Sequence, residues 1–126
     1  MEIKNQYLKI WGAFSSHHRL RIIRLLLRGE LCVRDFKKIF GWPQSTTSRH
    51  LLYLEKNRII QSRQDGLWRY YSLRPAEFPL LELLLVATER GLSGVAVFGE
   101  DRKKLKDLKD HLGKISHKKY SKRISR

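Results

Sequence analysis

Hydrophobic and polar positions follow a helical period through the first half of the chain and then change rhythm. Over residues 4–14, Tyr7, Leu8, Ile10, Trp11 and Phe14 form a broad apolar face, which predicts a first helix. Ser15 or Ser16 is placed to cap the next helix by accepting a hydrogen bond from an orphan N–H. In "HHRLRIIRLLLR", Leu20, Ile23, Leu26 and Leu27 recur at the 3.6-residue period and are expected inward. Arg19, Arg21, Arg24 and Arg28 are then expected toward solvent, and Gly29 ends the helix. "VRDFKKIF" predicts a short third helix with Val33, Phe36, Ile39 and Phe40 on its buried face. Gly41-Trp42-Pro43 breaks it, because proline cannot extend a preceding helix but tolerates a position near the next start. A fourth helix is expected from Gln44 or Ser45 to Lys56, with Thr47, Leu51 and Leu54 turned to the core. Two short helices joined by a tight turn match a helix-turn-helix.

The period then shifts. "IIQSRQ" and "LWRYYSL" are rich in β-branched and aromatic residues, and Asp65-Gly66 between them is a strong hairpin signal. Alternation puts Trp68 and Tyr70 on one face and Tyr71 and Leu73 on the other, where they fix the ribbon to the helices. An isolated two-stranded ribbon is marginal, so this one must lean on the core. The fold expected is mainly α: a winged helix-turn-helix with a two-stranded hairpin wing and terminal dimerisation helices.

Pro75 ends the hairpin, and residues 76–90 predict a helix that is apolar nearly all round. Too little chain remains to enclose it. Leu80, Leu81, Leu84 and Leu85, with Leu8 and Trp11 of the first helix, are therefore expected to form a homodimer seam. "GLSGVAVFG" reads as a loop and "EDRKKLKDLKDHL" as a last helix with Leu105, Leu108 and Leu112 aligned. The expected organisation is a DNA-binding and dimerisation domain over 1–98, a helix over 99–112 and a basic flexible tail over 113–126.

Charge narrows the partners. Lys and Arg number 27 against 12 Asp and Glu, a formal net of +15. Residues 101–126 alone carry eleven basic and three acidic side chains. Polyanions are the expected partners, double-stranded DNA first and anionic membrane a weaker candidate. A single cysteine rules out an internal disulfide framework. The start lacks a signal peptide's apolar stretch, and "FPLLELLLVA" is too short to span a bilayer. A cytoplasmic protein with no membrane partner is expected.

With Thr47, Leu51 and Leu54 inward, Gln44, Ser45, Thr46, Ser48 and Arg49 lie on the start and outer side of the fourth helix. Glutamine can bond bidentately to adenine and arginine to guanine, and hydroxyls serve bases or phosphates. His50 stands at the boundary, divided between a phosphate contact and a local hydrogen bond. The wing adds Arg63, Gln64 and Arg69.

The stretch "HHRLRIIRLLLRGELCVRDF", Gln44 with Ser48-Arg49-His50-Leu51, and the "DG" wing with "WRYYSL" resemble the ArsR/SmtB family of dimeric bacterial winged-helix repressors. The resemblance covers residues 8–74 well. It implies a homodimer on a partly palindromic operator, released by an effector or a thiol modification. It carries DNA-reading roles onto Gln44, Ser45, Thr46, Ser48, Arg49 and His50, and a wing role onto 63–69. Two positions depart from the pattern: Leu67 replaces a common wing arginine, and Arg58 replaces a common glycine after the recognition helix. Asn57 is expected to absorb the left-handed residue there.

"ELCVRDF" resembles the family's arsenic-sensing "ELCVCDL", but Arg34 stands where the second thiolate would be. Arsenite binding through that site is not expected. Cys32 is a candidate redox or vestigial sensor, and more simply a small helix-start residue. No cofactor and no metal site are expected: residues 76–90 hold no histidine, and His17 and His18 diverge on a helix. No carboxylate pair, nucleophile–base set or phosphate loop points to an enzyme. The reading is a sequence-specific DNA-binding transcriptional regulator, a repressor, with a sequence-tolerant architectural DNA-binding protein as the alternative. A protein-binding dimer is a further one.

Overall fold

A computed structural model describes the backbone of residues 2–124 and the side chains of residues 2–111. The helices are α1 (Asn5–Ala13), α2 (His17–Leu26), α3 (Val33–Phe40), α4 (Gln44–Lys56), α5 (Pro79–Val86) and α6 (Ala96–Ile124). The strands are β1 (Leu31–Cys32), β2 (Ile60–Asp65) and β3 (Trp68–Leu73). Helix α6 runs through the expected boundary at Gly113. The side chains of the expected tail, residues 113–126, lie outside those described.

The helical half follows its pattern. Ser16 caps α2, its hydroxyl accepting from the Arg19 N–H at 3.2 Å. Gly41 ends α3 at φ +69, a left-handed conformation that suits glycine. The core gathers Ile10, Ile22, Ile23, Phe36, Leu51, Leu54, Ile59 and Ile60, all fully buried.

The wing is larger than a ribbon. β1 pairs antiparallel with β3, Leu31 opposite Tyr71 and Cys32 opposite Tyr70, giving a three-stranded sheet of order β1-β3-β2. Two residues cannot display an alternation, so the third strand left no period to read. The register Asp65 to Trp68 makes Gly66-Leu67 a two-residue turn, and Gly66 at φ +62 takes the first central position that only glycine fills easily.

The arginines of α2 overturn the solvent reading. Arg24 is buried. Its guanidinium donates to the carbonyls of Thr88 and Glu89 at 2.7 and 3.0 Å and lies 4.8 Å over the Phe98 ring. Those carbonyls belong to a π-helical turn, Ala87–Gly91, that extends α5. Arg19 donates to the carbonyls of Gly12 (2.9 Å) and Ala13 (3.3 Å), closing the end of α1. Arg21 holds the buried Asp101 of α6 through two bonds of 2.8 Å. Helix ends leave carbonyls unpaired, and arginines reaching across from a neighbouring helix satisfy them.

Three further expectations shift. The helix expected from Ala76 starts at Pro79, because the residue before proline is barred from the helical region; Phe78 is extended (φ −130, ψ 141) and Pro79 takes the first helical position. "GLSGVAVFG" is only partly loop: α6 begins at Ala96, and Phe98 is buried. The left-handed residue after α4 is Arg58 (φ +62), not Asn57 (φ −94). Its side chain is held by Glu77, the guanidinium donating at 2.8 and 3.1 Å. A planar fork with a fixed partner anchors the strained residue where glycine would need none.

Two stability changes follow. Asp101→Ala leaves Arg21 without its buried partner and is expected to cost about 3 kcal/mol in urea unfolding. Arg58→Gly removes the left-handed strain and should raise the thermal midpoint by roughly 2–5 °C, despite the lost pair with Glu77.

Candidate nucleic-acid interface

Helix α4 begins at Pro43, which carries no capping side chain. The Pro43 carbonyl accepts from the N–H groups of Thr46 (3.0 Å) and Thr47 (3.2 Å). The N–H groups of Gln44 and Ser45 precede these bonds and point out of the helix start, an arrangement that suits an anion. Thr47, Leu51 and Leu54 are buried, and Gln44, Ser45, Ser48 and Arg49 are exposed. Thr46 is half-buried at the edge of this face. Leu52, 63% exposed, continues the line of Ser45 and Ser48. It was not expected on this face. The signal was its place out of phase with the inward trio, seven residues after Ser45. An exposed apolar side chain there can meet a thymine methyl group.

His50 resolves toward the local hydrogen bond. It is buried, with its Nδ1 3.2 Å from Arg19 Nη1 and its ring stacked on His18 at 4.9 Å between centroids. An arginine only donates, so Nδ1 is the acceptor of a neutral imidazole. Burial first, then the charges of Arg19, His18 and Arg49, pushes the His50 pKa down to about 4. Burial also lowers that of His18, helped by His17, Arg21, Arg49 and Arg19. His50 thus braces α4 through its Nδ1, with its ring largely covered.

The wing residues divide. Arg63 is clasped by Glu30, its Nε donating at 2.8 Å, and lies 4.8 Å over Tyr70. It is held back along the ribbon from the tip. The Gln64 amide donates to the Gly66 carbonyl at 3.0 Å and braces the turn. Arg69 donates to the Ser62 hydroxyl at 2.8 Å, on the side of the wing that faces α4. Leu67, at the turn, is 90% exposed.

A cleft of about 370 Å³ lies between α3, the start of α4 and the wing. Arg34, Lys37, Trp42 and Trp68 line it together with Gln44 and Ser48 of the polar face. Arg34, Lys37 and Trp42 were not expected at this surface, whereas Trp68 falls within the expected wing, 63–69. They come from three elements, and no local pattern joins them.

Cys32 is buried at the start of α3, where its N–H donates to the Asp35 carboxylate at 2.9 Å. Burial, then the Asp35 charge, pushes the thiol above its ordinary range, so a reactive thiolate is not what this site makes. Among the described residues, no three His, Cys, Asp or Glu side chains gather as a metal site requires. No helix among them is long and apolar enough to cross a membrane. Of the expected seam residues, Leu8 and Trp11 are 52% and 55% exposed, and Leu80, Leu84 and Leu85 are half-buried. Leu81 instead packs into the chain's own core, while Leu83 and Val86 carry the exposed side of α5.

Comparison with known proteins bears on this geometry. Residues 16–62 match the family model of bacterial regulatory proteins, arsR family. The chain is 36% identical over 72 residues to an uncharacterized HTH-type transcriptional regulator of Methanocaldococcus jannaschii, covering 56% of this chain and 81% of that one. It is 32% identical over 94 residues to the arsenic resistance transcriptional regulator ArsR2 of Pseudomonas putida, covering 70% and 81%. It is 30% identical over 73 residues to the transcriptional activator HlyU of Vibrio cholerae, covering 57% and 68%. Among solved structures, the homodimeric winged helix-turn-helix DNA-binding domain of a possible ArsR-family regulator from Mycobacterium bovis superposes with a TM-score of 0.59 at 26% identity, covering 70% of this chain and 82% of that one.

The histidine stack makes stability depend on pH. The folded His50 pKa lies below the unfolded value near 6.5, so the unfolded chain binds the proton first. Stability is then full above pH 6.5 and is lost as pH falls from 6.5 toward 4. His50→Gln, which keeps an acceptor for Arg19, should flatten the fall in thermal midpoint measured between pH 7 and 4.5.

Proposed function

The chain belongs to the arsR family of bacterial regulatory proteins and is a DNA-binding transcriptional regulator rather than an enzyme, and from that premise we propose that it works as a homodimeric repressor on a palindromic operator. One observation carries the reading of the site: a single helix start offers Gln44, Ser45, Ser48 and Arg49 to solvent while Thr47, Leu51 and Leu54 lock its other side into the core. Each protomer would lay this face in a major groove, with the two half-sites about one helical turn apart. Arg49 and Gln44 read bases, and Ser45, Thr46 and Ser48 serve bases or phosphates.

Dimerisation is supported by apolar surface that the single chain leaves uncovered. Leu8 and Trp11 of α1 and Leu83 and Val86 of α5 are all at least 45% exposed, and the two helices pack side by side. The M. bovis relative is homodimeric. Leu83 and Val86 take the place of Leu81 in the proposed seam.

The sign of regulation rests on more than the reading face. One relative is an activator, and activation would use the same surface. Repression is favoured by the arsenical operon repressor of Staphylococcus aureus, 39% identical over 62 residues. Release would follow an effector other than arsenite at Cys32, since Arg34 supplies no second sulfur.

Selecting bound duplexes from a random pool, at fixed salt, tests the proposal. A recurring inverted repeat is expected, and equal affinity for selected and random duplex would favour a sequence-tolerant architectural protein. Arg49→Ala should weaken selected duplex more than random duplex by roughly 10–100-fold. Lys118→Ala, in the basic terminal segment, should lower both about equally.

A further inference from the structure

We infer that the cleft between α3, the start of α4 and the wing is a binding site for a small aromatic carboxylate, and that this ligand and a duplex exclude one another. The inference rests on the DNA-binding reading above and gives the unidentified effector a place and a chemical class.

The space suits a small molecule. Its volume, about 370 Å³, falls in the lower part of the range of small-molecule pockets, roughly 300–1,000 Å³. Such pockets are mostly apolar, with a few placed polar groups. Here Val33, Trp42, Leu67 and Trp68 supply the apolar wall. Two indoles lining one space suit a flat ring, which gains both buried area and favourable ring geometry there.

Charge decides the other end of the ligand. Arg34, Lys37 and Arg69 line the cleft, and none of its lining residues is acidic. Asp35, next to Arg34, is buried and turned to the Cys32 N–H. Arg34 and Lys37 stand three apart on α3 and so share one face of it. The Arg34 guanidinium lies 4.2 Å over the Trp68 ring, so one cation is already seated against the aromatic wall. The complement is an anionic head on an aromatic body. A guanidinium fork meets a carboxylate with two parallel hydrogen bonds.

Gln44 and Ser48 connect this pocket to regulation. Both line the cleft, and both belong to the reading face of α4. A ligand lodged between them and the wing occupies groups that the proposed duplex contact uses. Release then follows from direct competition and needs no change of fold.

The probe is 2-naphthoate, titrated calorimetrically into the unaltered full chain without DNA. One site per protomer is expected, with acetate and the neutral 2-naphthylmethanol binding at least about tenfold more weakly. Arg34→Gln and Lys37→Gln, both at exposed positions, should each weaken naphthoate about tenfold. Arg28→Gln removes the same charge outside the cleft, where Arg28 pairs with Glu89 at 3.0 Å, and should leave naphthoate affinity unchanged. Against selected duplex, naphthoate at about ten times its own Kd should weaken binding roughly elevenfold, and the effect should keep rising in proportion to concentration. Acetate or the neutral alcohol binding as tightly as naphthoate would overturn the pocket, as would unchanged naphthoate affinity in both cleft variants. Equal losses in Arg28→Gln would overturn it too, by making net charge the cause. A plateau in the weakening of duplex binding would overturn the competition, because coupling between two distinct sites saturates. Selected duplex bound with no naphthoate bound would sink the pocket alone, and naphthoate bound with no duplex bound at any salt would sink the DNA-binding reading instead.

Discussion

Helix α2 is the beam to which the other helices are fastened, and arginines do the fastening. Its apolar side chains fill the core, yet dispersion and burial fix only that the helices touch, not how they are oriented. Arg19 reaches the end of α1, Arg24 the carbonyls after α5, and Arg21 the buried Asp101 of α6. Arg24 and Arg21 meet buried acceptors, the Thr88 carbonyl and the Asp101 carboxylate, so those bonds are costly to break. The three helices are thereby set in direction as well as distance.

The same arginines reach the reading face indirectly. Arg19 touches the α1 terminus and His50 of α4 at once, and its guanidinium also lies 4.2 Å over Tyr53. The face of α4 is presented from a helix held at its inner side by core leucines and at its flank by this cluster. A recognition helix that rocked would spread Arg49 over several positions. In the proposed role, such rigid support is what would let a polar helix start distinguish bases.

The sequence made much of this legible, and for a physical reason. Periodicity reports burial, and burial on one side dictates exposure on the other, so Thr47, Leu51 and Leu54 located Gln44, Ser45, Ser48 and Arg49. Capping by Ser16 and the turn at Gly66 were also readable, because their chemistry is local. What stayed hidden depends on contacts between segments distant in sequence. Arg24 reads as a solvent residue until the carbonyls of Thr88 and Glu89 are placed beside it. His50 reads as a boundary residue until Arg19 and His18 close over it. Strand β1 is too short for any period, and the cleft draws its lining from three elements. The left-handed Arg58 was missed for another reason: intrinsic preference favoured Asn57, and a distant partner, Glu77, decided the matter.

The π-helical turn after α5 has a geometric consequence of its own. Such a turn amounts to one residue inserted into an α-helix, and one residue is about 100° of rotation. Any stripe running down α5 therefore loses phase at Ala87. Leu83 and Val86 can line up on one flank, but the helix ends at Gly91, and Thr88 turns inward to donate to the Leu84 carbonyl at 2.7 Å. The uncovered apolar flank of α5 is limited to barely two turns of helix, so a mate pressed against it must draw the remainder of its contact from α1.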